Sequence, residues 1–171
     1  MTRVLALDTS THTGWAHCTD VAGQPAYGTF DLPGWRRESI GASYAALHNF
    51  IVGKIRVHDI THLIVERPLT VHAHAYDKGK NADLAAALLG FVAVAECVAG
   101  LERIKCHVES PATVRKHFVG NGRPKDPKGA VIARCKQLGW RPRDDNQADA
   151  LATWDYACSI LRADNILSRA L

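Results

Sequence analysis

The sequence predicts an α/β fold: a mixed five-stranded sheet, three antiparallel strands and then parallel strands, flanked by helices. Three observations point there. The first 31 residues hold three strand-like runs joined by short turns, the pattern of an antiparallel meander. Beyond them strands and helices alternate, which implies parallel pairing with helices packed on the sheet. Val4-Leu5-Ala6-Leu7 and Leu63-Ile64-Val65 are continuously apolar within the runs at 3–9 and 61–66, as strands covered on both faces are.

Residues 3–9 form the first strand, with Asp8 at its carboxyl end, and Ser10 to Gly14 make a turn. Gly14–Cys18 and Ala26–Asp31 are the second and third strands, joined through Gly23-Gln24-Pro25. Ile40, Tyr44, Leu47, Phe50, Ile51 and Ile55 recur at helical spacing over 36–57. Thr61–Glu66 is the fourth strand, again ending in a carboxylate and stopped by Arg67-Pro68. A polar loop at 69–80 carries His72, His74, Tyr76, Lys78 and Lys80. An alanine- and leucine-rich helix spans about 82–99, with Leu84, Leu88, Phe91, Val92 and Ala95 as its core side. Ile104–Val108 is the fifth strand. Pro111–Val119 is a short helix with proline in the first turn, where no amide hydrogen is needed. A loop from Gly120 to Lys128 leads to a helix at 129–138, and a last helix runs from about 145 to 162.

A chain of 171 residues without repeats or linkers is expected to be one domain, residues 1–171. No run of 18 or more apolar residues occurs, so no membrane-spanning helix and no membrane partner are expected. The N-terminus runs straight into a strand, and no signal peptide is expected. Five widely spaced cysteines without a Cys-x-x-Cys pair read as reduced thiols of a cytoplasmic protein, not as a disulfide framework or zinc site. Charge is uneven. Between Arg103 and Arg143, eleven Lys/Arg stand against Glu109 and Asp126, so this segment carries +9 and the remainder −5. A basic segment beside clustered acids suggests a polyanion held near a metal site; a solvated basic surface is the plainer alternative.

The acids carry the chemistry. Asp8 and Glu66 end apolar strands and emerge at one sheet edge if those strands are neighbours. Asp145 and Asp149 are four apart, on one side of the last helix, with Ala148, Ala150 and Ala152 permitting close approach to the sheet. Grouped carboxylates repel unless cations join them, and hard oxygen donors suit Mg²⁺ or Mn²⁺. Two such ions are the arrangement used for in-line attack on phosphodiesters. Each acid also has a structural reading. Asp144 or Asp145 could cap the helix, Asp8 could cap the turn at 9–13, and Glu66 could pair with Arg67 or Lys78.

Leu5-Ala6-Leu7-Asp8 with Thr13-Gly14-Trp15-Ala16, Leu63-Ile64-Val65-Glu66, and Ala148-Asp149-Ala150-Leu151-Ala152 resemble the RuvC family of Holliday-junction resolvases, ribonuclease H-like in fold. A fourth segment, Pro111-Ala112-Thr113-Val114-Arg115-Lys116 and then Val119-Gly120-Asn121-Gly122-Arg123, is similar to the family's Pro-x-x-Val-Lys and Val-Gly-x-Gly pattern. The form is most similar to phage or prophage versions. The resemblance implies a homodimeric, Mg²⁺-dependent endonuclease of bacterial or phage-infected cytoplasm that nicks four-way DNA junctions symmetrically. It implies two Mg²⁺ per site, replaceable by Mn²⁺, on Asp8, Glu66 and Asp149.

The fourth family acid has no direct counterpart, because Asn146 stands there. At 100° per residue Asp145 lies about 40° from Asp149 and Asn146 about 60°, and a carboxylate binds Mg²⁺ better, so Asp145 is favoured. The family's lysine near the scissile phosphate is matched by Lys125 or Lys128. Lys128 is favoured because it opens the following helix. Arg115, Lys116, Arg123 and Lys125 would then hold DNA backbone. The junction-wedging aromatic of the family has Tyr76 as its counterpart, able to stack on bases. Leu89, Val94 and Val98 would face a dimer two-fold.

Two other readings stand beside this one. A nuclease of the same fold could cut flaps, other branched DNA or RNA:DNA hybrids. Leu5 to Thr11 also resembles the opening of actin-like ATPase-fold proteins, although Glu66, Asp145 and Asp149 would then be idle.

Overall fold

The computed structural model describes residues 2–18, 24–34, 39–68 and 80–167. Its sheet is built from β1 (Val4–Asp8), β2 (His12–His17), β3 (Ala26–Asp31), β4 (His62–Glu66) and β5 (Lys105–Glu109) in the order β3-β2-β1-β4-β5. β1, β2 and β3 pair antiparallel; β1 with β4 and β4 with β5 pair parallel. The helices are α1 (Ile40–His58), α2 (Lys80–Leu101), α3 (Pro111–Val119), α4 (Pro127–Gln137) and α5 (Asp145–Leu167). The predicted mixed sheet and element order are the ones observed. α5 runs five residues further than the sequence pattern indicated, and β5 reaches one residue further, to Glu109.

Alternation along the strands divides the core in two. Leu5, Leu7, Leu63 and Val65 point to the face covered by α1 and α2, with Leu47, Ile51, Phe91 and Ala95. Val4, Ala6 and Ile64 point to the other face, covered by α3, α4 and α5 with Val114, Val131, Ala148 and Leu151. Asp8 and Glu66 continue the second series by the period of two, so both carboxylates lie on the α5 side.

α2 departs from expectation in its rotation. Val98 is fully buried, whereas Leu84 is 38% exposed; Leu89 is 49% exposed. The helix is apolar nearly all round, so its spacing does not single out one face. Asp83–Leu101 is also long and apolar enough to cross a membrane, with mean hydropathy 2.2, contrary to the expectation of no such helix. In this fold Ala87, Phe91, Ala95, Val98 and Ala99 of that stretch are core residues.

α5 is set on the sheet by close approach. A Cβ on Gly14 would overlap the backbone carbonyl of Asn146, so only glycine lets the helix start lie against β2 here. Asp144 is the cap: its Oδ1 accepts from the Gln147 amide at 2.8 Å. Its Oδ2 accepts from Thr29 Oγ1 of β3 at 2.8 Å, and Gln147 Nε2 donates to the same Thr29 at 3.1 Å.

Candidate active site

The register places Asp8 directly beside Glu66 on adjacent parallel strands. Asp149 reaches the pair from α5, one turn beyond Asp145. The turn after β1 is closed by Ser10, whose Oγ accepts from the His12 amide at 3.1 Å and whose carbonyl accepts from Thr13. That leaves Asp8 without the capping role it could have had. Glu66 is 8% exposed and accepts from Thr153 Oγ1 of α5 at 3.4 Å.

The electrostatics show unneutralised negative charge. Burial, then the charges of Asp149 and Asp145, push the Asp8 carboxyl up to about 7. Burial, then Asp8 and Asp149, hold Glu66 well above the usual carboxylate range. Burial pushes Asp149 up to about 6; Arg115 opposes this and Asp145 adds to it. Asp145 behaves oppositely. The Lys128 ammonium donates to its Oδ2 and holds it below the usual range, and the same contact raises Lys128.

Lys128 is the second residue of α4, behind the capping Asp126, whose Oδ1 accepts from the Gly129 amide at 3.0 Å. Its side chain is 71% exposed, and its charge also acts on Asp149 and Asp8. Lys125 is exposed on the loop before α4. Arg115, expected to hold DNA backbone, also bears on the acids. Its charge acts on Asp8, Glu66 and Asp149, and its Nε is buried with no hydrogen-bond partner among the described residues. Lys116 and Arg123 are exposed, on α3 and on the loop after it. Tyr76, His72, His74 and Lys78 lie outside the described residues.

Sequence reasoning missed Glu109. It ends β5 in register with Glu66 and belongs to the same row of strand-end carboxylates. The rule that singled out Asp8 and Glu66 would have found it had the strand been extended by one residue.

The donor set fits a hard divalent cation: Asp8, Glu66 and Asp149 offer carboxylate oxygens whose burial and, for Asp8 and Glu66, mutual repulsion favour added positive charge. Among the described residues no three Asp, Glu, His or Cys side chains already stand in ligating arrangement. Lys128 occupies Asp145, and Arg115 supplies charge to the other three.

A mixed sheet in the order β3-β2-β1-β4-β5, with helices on both faces and acids at the ends of β1 and β4, is the ribonuclease H-like fold in its RuvC-like form. The chain is similar to the structure of Thermus thermophilus RuvC, with TM-score 0.66 and 17% identity over 90% of this chain and 91% of that one. It is equally similar to T. thermophilus RuvC in complex with Holliday junction substrate, with TM-score 0.65, 17% identity and the same coverage. The yeast mitochondrial Holliday junction resolvase matches with TM-score 0.64 and 10% identity over 99% of this chain and 85% of that one. No protein-family model and no curated sequence matches the chain.

Proposed function

We propose that this protein is a divalent-metal-dependent endonuclease that resolves four-way DNA junctions by paired symmetric nicks, acting as a homodimer. One observation carries the reading: Asp8 and Glu66 stand in register at the ends of adjacent parallel strands, with Asp149 brought to them by α5. The shared fold with junction resolvases supports the substrate class.

Asp8, Glu66, Asp145 and Asp149 would hold the metal, Mg²⁺ or Mn²⁺. When bound it supplies an activated water and positive charge at the leaving oxygen. The chain's own residues do the rest. The strand ends fix Asp8 and Glu66 rigidly, because backbone pairing on both sides of β1 and β4 leaves them little freedom. Lys128, long and exposed, exchanges Asp145 for the scissile phosphate and stabilises charge there. Arg115 neutralises the acids from the α3 side, and Lys116, Arg123 and Lys125 hold the DNA backbone. A two-fold axis through the dimer places two such sites symmetrically, as cutting two strands requires.

The test uses a synthetic four-way junction labelled on each strand, beside a flap, a linear duplex and an RNA:DNA hybrid, with Mg²⁺, Mn²⁺ or EDTA. Symmetric paired nicks on the junction alone, and only with metal, are expected. Cutting of flap or hybrid as well would widen the substrate class. Nucleotide binding with no cutting would replace the nuclease reading with the actin-like one.

A further inference from the structure

We propose that Glu109 and Tyr156 are a positioning pair: their contact sets the rotation and depth of α5, and so the approach of Asp149 to Asp8 and Glu66. The consequence for catalysis rests on the nuclease reading; the geometry rests on packing alone.

Glu109 is to Glu66 what Glu66 is to Asp8, the in-register residue at the end of the next parallel strand. Paired residues of parallel strands point to one face. Three carboxylates therefore form a row along one sheet edge. α5 meets this row with Asp149, Thr153 and Tyr156, spaced by four and three and so on one stripe. Thr153 donates to Glu66 at 3.4 Å, and the Tyr156 hydroxyl donates to Glu109 Oε2 at 3.0 Å. The second bond is the shorter, and its sheet end is firmly held. Glu109 Oε1 accepts from the Ser110 amide at 2.7 Å, and the Glu109 carbonyl accepts from the Arg67 amide at 2.7 Å. Glu109 thus joins the exit of β4, the start of α3 and the middle of α5. α3 is also the helix that carries Arg115.

The need for such a tie follows from what α5 buries. Ala148, Ala150, Ala152 and Ala157 are buried, next to Leu151 and Trp154. Small side chains permit close approach but give little steric resistance to rotation or sliding. Packing of the right volume secures stability before it secures one arrangement. At its start α5 is fixed to β3 through Asp144, Gln147 and Thr29. One anchored end leaves a helix able to pivot. Farther along, Asp155 pairs with His117 of α3 at 2.9 Å, and Tyr156 ties the helix to the sheet itself, about 18 Å from Asp144 at 1.5 Å per residue. Asp149 lies between Asp144 and Tyr156. A misplacement of about 1 Å at a reacting centre can cost about 10²-fold in rate.

The test compares full-length Tyr156→Phe, Glu109→Ala and Glu109→Gln with wild type. Phenylalanine keeps the ring and its edge contact with His117 and removes only the hydroxyl. Glutamine can keep both contacts, its carbonyl accepting from the Ser110 amide and its NH2 donating to the Tyr156 hydroxyl oxygen. Three readouts are taken: amide hydrogen exchange at 148–153 without metal, Mn²⁺ affinity by calorimetry, and kcat and KM on the labelled junction. Tyr156→Phe and Glu109→Ala are expected to exchange faster at 148–153 with α1 unchanged, and to bind Mn²⁺ about tenfold more weakly. Their kcat should fall about 10–10²-fold at unchanged KM. Glu109→Gln should stay close to wild type. Wild-type exchange and wild-type Mn²⁺ affinity in Tyr156→Phe would overturn the proposal, and that variant decides the matter if Glu109→Ala does not fold. If wild type cuts no junction, the nuclease reading fails, and exchange at 148–153 alone then decides the pair.

Discussion

Replacing Asp8 by asparagine is expected to make the protein more stable and inactive at once. The Asp8 carboxyl is pushed from 3.8 up to about 7 by burial and by Asp149 and Asp145. Between those values the folded state keeps a proton that the unfolded state releases. Its contribution to stability is therefore full below pH 3.8 and lost as pH rises through about 7. About three pH units at 1.36 kcal/mol each set a ceiling of about 4 kcal/mol. Solvent screening at a partly buried carboxyl lowers this to about 2 kcal/mol. Asparagine has nearly the same shape and no charge to lose. At pH 8 without divalent metal, Asp8→Asn should gain about 2 kcal/mol, a rise in Tm of about 4–8 °C. At pH 4, where Asp8 is protonated, the two proteins should agree within about 0.5 kcal/mol. Urea denaturation at the two pH values measures both. A variant no more stable than wild type at pH 8, or equally stabilised at both, would mean that the Asp8 charge does not destabilise the fold.

Three further outcomes follow from the same geometry. Lys128→Met removes an exposed ion pair, so stability should change by less than about 1 kcal/mol while junction cleavage falls about 10²-fold in a steady-state assay. Gly14→Ala drives a methyl group into the Asn146 carbonyl and should cost about 3 kcal/mol or more, with activity lost; an unchanged melting temperature would contradict the close approach. His17, 1% exposed, is held down to about 4 by burial, then by His58 and Lys54. The unfolded chain takes up its proton below about 6.5 and the folded one does not until about 4, so stability should fall by about 3 kcal/mol as pH drops through that window. Denaturation of His17→Leu at pH 7 and pH 4.5 should show this loss removed.

Asp8 and Glu66 were legible because a continuous apolar run ending in a carboxylate has few structural uses. Asp149 was legible because an acid among alanines a full turn into a helix needs a partner. The relative placement of β1 and β4 was not in either strand's own residues; it depends on the pairing that puts them side by side. Glu109 was missed because Lys105, His107 and Glu109 sit on an edge strand whose alternating polarity blurs its end. That the charge of Arg115 also acts on the acids was not legible in the Arg115-Lys116 pair, because it depends on the packing of α3 beside α5. The rotation of α2 was illegible for the opposite reason: alanine and leucine all round leave no polar face to mark the outside. Asp144 and Asp145 looked interchangeable, and Thr29, remote in sequence, makes Asp144 the anchored cap.

In the proposed function the strand-end acids and Asp149 form one metal-dependent cutting site. Asp149→Asn tests it most directly. Cleavage of a labelled four-way junction is followed with Mg²⁺, alongside junction binding by gel shift with Ca²⁺ in place of Mg²⁺. Symmetric nicking by wild type, loss of nicking in the variant by at least about 10³-fold, and unchanged binding are expected. Undiminished cleavage by Asp149→Asn would contradict the proposed site.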